Sequence, residues 1–180
     1  ADVKVGEGEV WVALEQVRDP GNLGTIIRTA DAAGASGVIL LGDTTDPFSL
    51  ETVRATMGSV FAMPVIRASN ADFIKWHKSS GARVVATHLA GAVDYRTIDY
   101  RSKPVVILMG NEQAGLPDEL AKEADALALG AERLLDSSNA QAMAASAHAL
   151  WAGTVKEPTK LTYSPSSPMS FASSSIAVSP

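Results

Sequence analysis

Short β-branched runs alternate with helix-patterned segments along most of this chain, and that alternation restricts the fold more than any other feature. Residues 10–17 (VWVALEQV), 37–42 (GVILLG), 64–67 (PVIR), 83–89 (RVVATHL) and 105–110 (VVILMG) read as strands, with 126–130 (ALALG) as a sixth candidate. Residues 25–34, 49–58, 70–81, 116–124 and 141–153 carry helical spacing. A strand that returns through a helix pairs in parallel with its predecessor, and the helices then cover the sheet. The expected class is α/β, a mainly parallel sheet with helices on both faces.

With 180 residues, 46% of them hydrophobic, the chain holds enough apolar mass for one core. Residues 1–155 are expected to form a single folded domain. Residues 156–180, KEPTKLTYSPSSPMSFASSSIAVSP, are Ser/Pro-rich and carry too few large apolar side chains to offset the entropy of ordering, so a poorly structured tail is expected there. The lack of cysteine excludes a disulfide framework, a thiolate metal site and a cysteine nucleophile. His77, His88 and His148 show no spacing that converges with carboxylates, so no metal is expected. Core packing best explains Trp11, Trp76 and Trp151. A net charge of −5 argues against a protein that coats nucleic acid without selectivity, and it leaves room for a local basic patch. No apolar run approaches the ~18 residues of a membrane span, and the N-terminal ADVKVGEGEVW lacks a signal-peptide pattern, so a cytoplasmic location without a membrane partner is expected.

Residues 20–42, PGNLGTIIRTADAAGASGVILLG, follow the first strand as the glycine turn and helix of a nucleotide-binding βαβ unit would. The turn reads G-N-x-G, however, and a dinucleotide fold requires neither Asn22 nor Arg28. The acidic residue that such a fold places after its second strand has only Asp43 as a candidate. A Rossmann-like nucleotide-binding oxidoreductase is therefore the less favoured alternative. Taken alone, Asn22 reads as a turn residue or helix N-cap as readily as a site residue, and Arg28 and Arg54 as solvated helix arginines. Gly110 alone reads as a strand-ending turn, Glu112 as a loop carboxylate, and Asp136, Ser137 and Ser138 as helix caps.

Three segments change that weighting: N-x-G-x-x-x-R at residues 22–28, VVILMGNEQAGLP at 105–117, and DSSNAQAMAA at 136–145. In this order, with the intermediate VRATMGSVFAMPV at 53–65, the set resembles the SpoU (TrmH-like) branch of the SPOUT methyltransferases, which methylate the ribose 2′-oxygen of RNA using S-adenosylmethionine. The resemblance implies a deep C-terminal trefoil knot, a cofactor folded into the knot loops, and a site completed across a homodimer. It assigns catalytic roles to Asn22, Arg28, Glu112, Ser137 and Asn139, and contact with RNA to Arg18, Arg28 and Arg54. Cofactor contact falls to Thr87, His88 and Leu89 after the fourth strand, and to Leu108, Gly110, Asn111 and Gly115 around the fifth. Leu129, Ala131 and Ser138 complete the set in the third motif.

The chemistry suits these residue types. Displacement at a sulfonium methyl depends on positioning and on relief of the charge developing on a ribose oxygen, without a covalent nucleophile. Guanidinium stays protonated to a pKa of ~12 or more, so Arg28 is read as a clamp for phosphate and alkoxide rather than as a base. The third motif departs from the family pattern, with Ser138 where leucine is usual and Gly130 where proline is usual. A catalytically silent RNA-binding member is accordingly the other alternative. Ribosomal RNA is the expected target ahead of transfer RNA, because the basic terminal extensions of compact transfer-RNA enzymes are not seen.

Overall fold

The computed structural model describes residues 4–88, 92–111 and 113–129. Seven strands form one sheet in the order β3-β2-β1-β6-β4-β7-β5. These are β1 (Val10–Glu15), β2 (Gly37–Leu41), β3 (Val65–Ala68), β4 (Arg83–Thr87), β5 (Val93–Asp94), β6 (Val105–Met109) and β7 (Ala126–Leu129). Every pairing is parallel, including β1 with β6, where Val10 to Leu14 register against Val105 to Met109. The expected α/β class is thus realised.

Strand residues alternate between two cores. Val10, Val12 and Leu14 point to one face, where Leu23, Ile26, Ile27 and Ala30 of α1 (Pro20–Ala33) cover them. Trp11 and Ala13 point to the other face, towards Phe73 of α3 (Asn70–Ser80) and Leu120 of α4 (Asp118–Glu123). A short α2 (Leu50–Thr56) lies against α1. Central strands buried on both faces read as unbroken apolar runs such as GVILL and VVILM, as parallel sheets require. Among the described residues no helix is long and apolar enough to cross a membrane.

The element boundaries correct the sequence reading at the point that matters most. The helix expected from residue 25 begins at Pro20, because Asp19 is its N-cap and proline at the first helical position gives up no hydrogen bond there. The Asp19 Oδ1 accepts from the Asn22 backbone N–H at 2.6 Å, so Asn22 is neither turn residue nor cap but stands inside the first helical turn. The second glycine of the motif, Gly24, serves packing: a Cβ there would stand 2.4 Å from the Ala55 Cβ and 2.8 Å from the Thr52 carbonyl oxygen. The close approach of α1 and α2 depends on it.

β1 stops at Glu15 rather than at residue 17, since Gln16 adopts φ 49° and turns the chain out of the sheet. The two-residue β5 and the 3-10 turns Ser59–Phe61 and Tyr95–Thr97 escaped the sequence reading. Trp11 is buried, with its indole N–H donating to Glu9 at 3.0 Å, and Trp76 packs against the second core. Trp151, His148, the helix expected at 141–153, the tail expected at 156–180 and the segment expected to form a knot all lie outside the described residues.

Candidate functional site

In a doubly wound sheet, ligands enter where successive connections run to opposite sides, outside the carboxyl ends of the strands. Here that point lies between β1 and β6. The loop after β6 occupies it. Asn111 and Gly115 exchange backbone hydrogen bonds of 3.1 and 2.9 Å, closing a tight hairpin. The Asn111 Oδ1 accepts from Gln113 N at 2.8 Å and Ala114 N at 3.2 Å, and its Nδ2 donates to the Gln16 carbonyl at 2.7 Å. That last bond ties the end of β1 to the end of β6. The crevice a dinucleotide would use is therefore bridged by the protein's own groups, which weighs against the oxidoreductase alternative. Asp43 is exposed on the loop after β2.

Gly110 makes this loop possible. A Cβ on it would lie 2.3 Å from both Gly115 C and Leu116 N, so the chain folds back directly over the glycine. Gly115 itself sits at φ 70°, the left-handed region natural to glycine. The strand ends beside this loop are those of β4 and β7, with Ala86 in register with Leu108 and Thr87 with Ala128. Thr87 Oγ1 donates to the Leu108 carbonyl at 3.5 Å, and the His88 backbone N–H donates to the Ala128 carbonyl at 3.4 Å. The structure thus brings Thr87, His88, Gly110, Asn111 and Gly115 to one edge, with Leu129 at the end of β7. Leu108 differs: its side chain is wholly buried in the α3/α4 core and supports the edge from beneath. Leu89, Glu112, Ala131, Ser137, Ser138 and Asn139 lie outside the described residues.

Arg28 was expected near the start of its helix. With α1 beginning at Pro20, it falls more than two turns in, about 12 Å along the axis at ~1.5 Å per residue. It is exposed and makes no hydrogen bond or ion pair with another described residue. Its position is one turn beyond Gly24, on the row of α1 that meets α2. Arg54 is likewise exposed, in the last turn of α2. Arg18, on the loop between β1 and α1, reaches the Gln16 Oε1 at 3.5 Å.

Sequence reasoning missed Glu15. It closes an apolar strand, is 1% exposed, and its Oε1 has no hydrogen-bond partner. Burial raises its pKa above the ordinary 4.5, the Glu119 charge adding to the rise while Gln16, Asn70 and Arg18 oppose it. An acid whose folded pKa is raised binds more protons folded than unfolded, so stability falls as pH climbs above the ordinary carboxylate range. Glu15→Gln should therefore be more stable than the parent chain near neutrality and should lose the decline in stability that sets in as pH rises above 4.5, as read by urea denaturation at several pH values. A variant whose deficit relative to the parent grows as pH rises would instead mean that the carboxylate is ionised and held. The available signal was a single acid closing the run VWVALE.

A model of the SpoU rRNA methylase family matches residues 9–146. The chain belongs to the SpoU rRNA methylase family. Over 122 residues it is 39% identical to the 23S rRNA (guanosine(2553)-2′-O)-methyltransferase of Bacillus subtilis, a match covering 68% of this chain and 49% of that protein. A tRNA (guanosine(18)-2′-O)-methyltransferase of Escherichia coli is 36% identical over 118 residues, 65% of this chain and 51% of the relative. The chain spans about half the length of these relatives. Among solved structures, an AdoMet-bound rRNA methyltransferase from Sinorhizobium meliloti is 61% identical, with a TM-score of 0.77 over 86% of this chain and 60% of that one. The SpoU methyltransferase AviRb from Streptomyces viridochromogenes in complex with AdoMet is 28% identical, with a TM-score of 0.68 over 84% of this chain and 60% of that one.

Proposed function

We propose that this SpoU family member transfers a methyl group from S-adenosylmethionine to a ribose 2′-hydroxyl of RNA. The observation that carries the reading is the Asn111 to Gln16 bond at 2.7 Å, which bridges the β1/β6 crevice and leaves the adjoining β6, β4 and β7 ends as the ligand edge. That edge suits an adenosyl group. Thr87, His88, Gly110, Asn111 and Gly115 bring no acid to it, and it ends apolar strands. These residues, with Leu89, Leu129, Ala131 and Ser138, would hold the cofactor, over the floor that Leu108 supports. When bound, the cofactor supplies an electrophilic methyl on a positive sulfonium.

The chain's own residues do the remainder. Arg28 grips an RNA phosphate and steadies the charge that gathers on the 2′-oxygen as its proton passes to solvent water. Asn22 holds the ribose from the first turn of α1, and Glu112, Ser137 and Asn139 take the catalytic roles that the family resemblance implies for them. Arg18 and Arg54 meet the RNA backbone. The segment beyond β7 threads the deep trefoil knot and completes the site across a homodimer in the cytoplasm. Ribosomal RNA is the proposed target, supported by the rRNA-directed names of the B. subtilis and S. meliloti relatives.

Calorimetry tests the reading: S-adenosylmethionine and S-adenosylhomocysteine should bind and NAD should not. Labelled methyl should then appear on RNA ribose in a preparation that light scattering sizes at two chain masses. Binding of NAD alone would restore the oxidoreductase, and RNA binding without cofactor would make the chain a silent member.

A further inference from the structure

The buried acid Glu15 has no part in the proposed chemistry, and the backbone donors around it are already committed. Gln16 N–H goes to the Leu41 carbonyl at 3.1 Å and Gly42 N–H to the Ala68 carbonyl at 3.4 Å. Gly42 brings only backbone against it, since a Cβ built there would stand 3.7 Å from the Glu15 Oε1. One further donor lies near. The Asn70 amide, at the first position of α3, donates through Nδ2 to the Glu119 Oε1 at 3.0 Å. Its own Oδ1 is buried without a partner, so that single bond fixes how the amide is turned.

The bond from Asn70 matters beyond its own strength because of where Glu119 stands. α4 begins at Asp118, directly after Leu116 and Pro117, and Gly115 and Leu116 are the residues that fold back over Gly110. Leu116 and Leu120 are both buried in the core that Phe73 of α3 shares. The loop after β6 is thus pinned twice. Asn111 holds its near end by donating to the Gln16 carbonyl, and Asn70 holds its far end by donating to Glu119. Both pins return to the end of β1, where Gln16 accepts the first and Glu15 neighbours the donor of the second.

We propose that Glu15 is a positioning residue for cofactor binding: as a neutral acid it leaves the Asn70 N–H to Glu119, and as a carboxylate it draws that N–H away and frees the far end of the loop. A buried carboxylate without a donor is costly, so the amide beside it turns to meet it. The loss falls on Glu119, which then also faces a like charge. Among the described residues, the charged groups that bear on Glu15 are Glu119 from α4 and Arg18 from the loop after β1, joined by the neutral Asn70 from α3 and Gln16. Burial outweighs the groups that oppose it and favours the proton. Glu15 acts through Asn70 and Glu119 rather than on the reacting atoms. The proposal rests on the S-adenosylmethionine reading and adds to it a proton requirement for the loop form that binds.

The test is calorimetry of S-adenosylmethionine binding to the whole chain from about pH 5 to about pH 9. The binding form keeps the proton, so parent affinity should weaken as pH rises through the Glu15 titration, on the order of tenfold in all, the scale of one hydrogen bond to a charged group. Glu15→Gln imitates the neutral acid and should hold the best parent affinity across the range. Asn70→Ala removes the shared donor and should show the weak affinity at every pH. In methyl transfer the change should fall on KM for S-adenosylmethionine, while kcat keeps the parent's pH profile. Hydrogen exchange without cofactor, at about pH 8, should find residues 113–123 more protected in Glu15→Gln than in the parent. A Glu15→Gln variant that keeps the parent's pH slope overturns the proposal, and so does parent affinity that is flat with pH. A parent chain that binds S-adenosylmethionine at no pH would instead sink the methyltransferase reading, and hydrogen exchange would still decide whether Glu15 governs the loop.

Discussion

Arg28→Ala should leave S-adenosylmethionine affinity nearly unchanged while single-turnover methyl transfer falls on the order of a hundredfold or more, the scale of losing one preorganised donor aimed at developing charge. The side chain is exposed and unpaired among the described residues, and alanine is a better helix former, so the fold should not suffer. Its distance from the helix start makes the test sharper. More than two turns into α1, Arg28 gains little from the partial charge at the helix N-terminus, which fades within the first turn, so its guanidinium must act by itself. Arg28→Lys should restore little, because an ammonium lacks the planar two-pronged grip on phosphate. Labelled methyl transfer to the mapped RNA, with calorimetry for the cofactor, separates the outcomes. Turnover at the parent rate in Arg28→Ala would remove this residue from the mechanism.

The sheet was legible in the sequence because parallel strands buried on both faces leave short, β-branched apolar runs bounded by turn residues. GVILL and VVILM admit few other readings. The start of α1 was misread because Pro20 and Gly21 look like turn residues, although aspartate followed by proline also announces an N-cap and a first helical position. β5 has two residues and exists only because Val93 and Asp94 find Ala128 and Leu129, a pairing no local pattern encodes. The site divides along the same line. The residue types of the motifs were readable, but their arrangement was not, since the bond from Asn111 to Gln16 joins positions 95 apart in the chain. Glu15 looked like one more strand residue until the packing of α3 and α4 enclosed it.

Gly110→Ala should cause the largest loss of cofactor binding of any single methyl group added to this edge. The new Cβ would sit 2.3 Å from Gly115 C and Leu116 N and 2.4 Å from Gly115 O, all backbone atoms with no flexible end to swing aside. Relief requires the loop to lift, which breaks the paired bonds between Asn111 and Gly115 and pulls Asn111 away from Gln16. The expected cost is about 3 kcal/mol or more, at the upper end for overpacking, because buried polar groups lose their partners along with the clash. Gly115→Ala is the control. A Cβ there meets nothing within 4 Å, and only its φ of 70° is penalised, at roughly 1–2 kcal/mol. In urea denaturation Gly110→Ala should fall well below Gly115→Ala. In calorimetry Gly110→Ala should lose S-adenosylmethionine binding, while Gly115→Ala keeps a weakened form of it. Cofactor affinity at the parent level in Gly110→Ala would mean that the loop after β6 is scaffold rather than site, and would move the ligand edge to β4 and β7 alone.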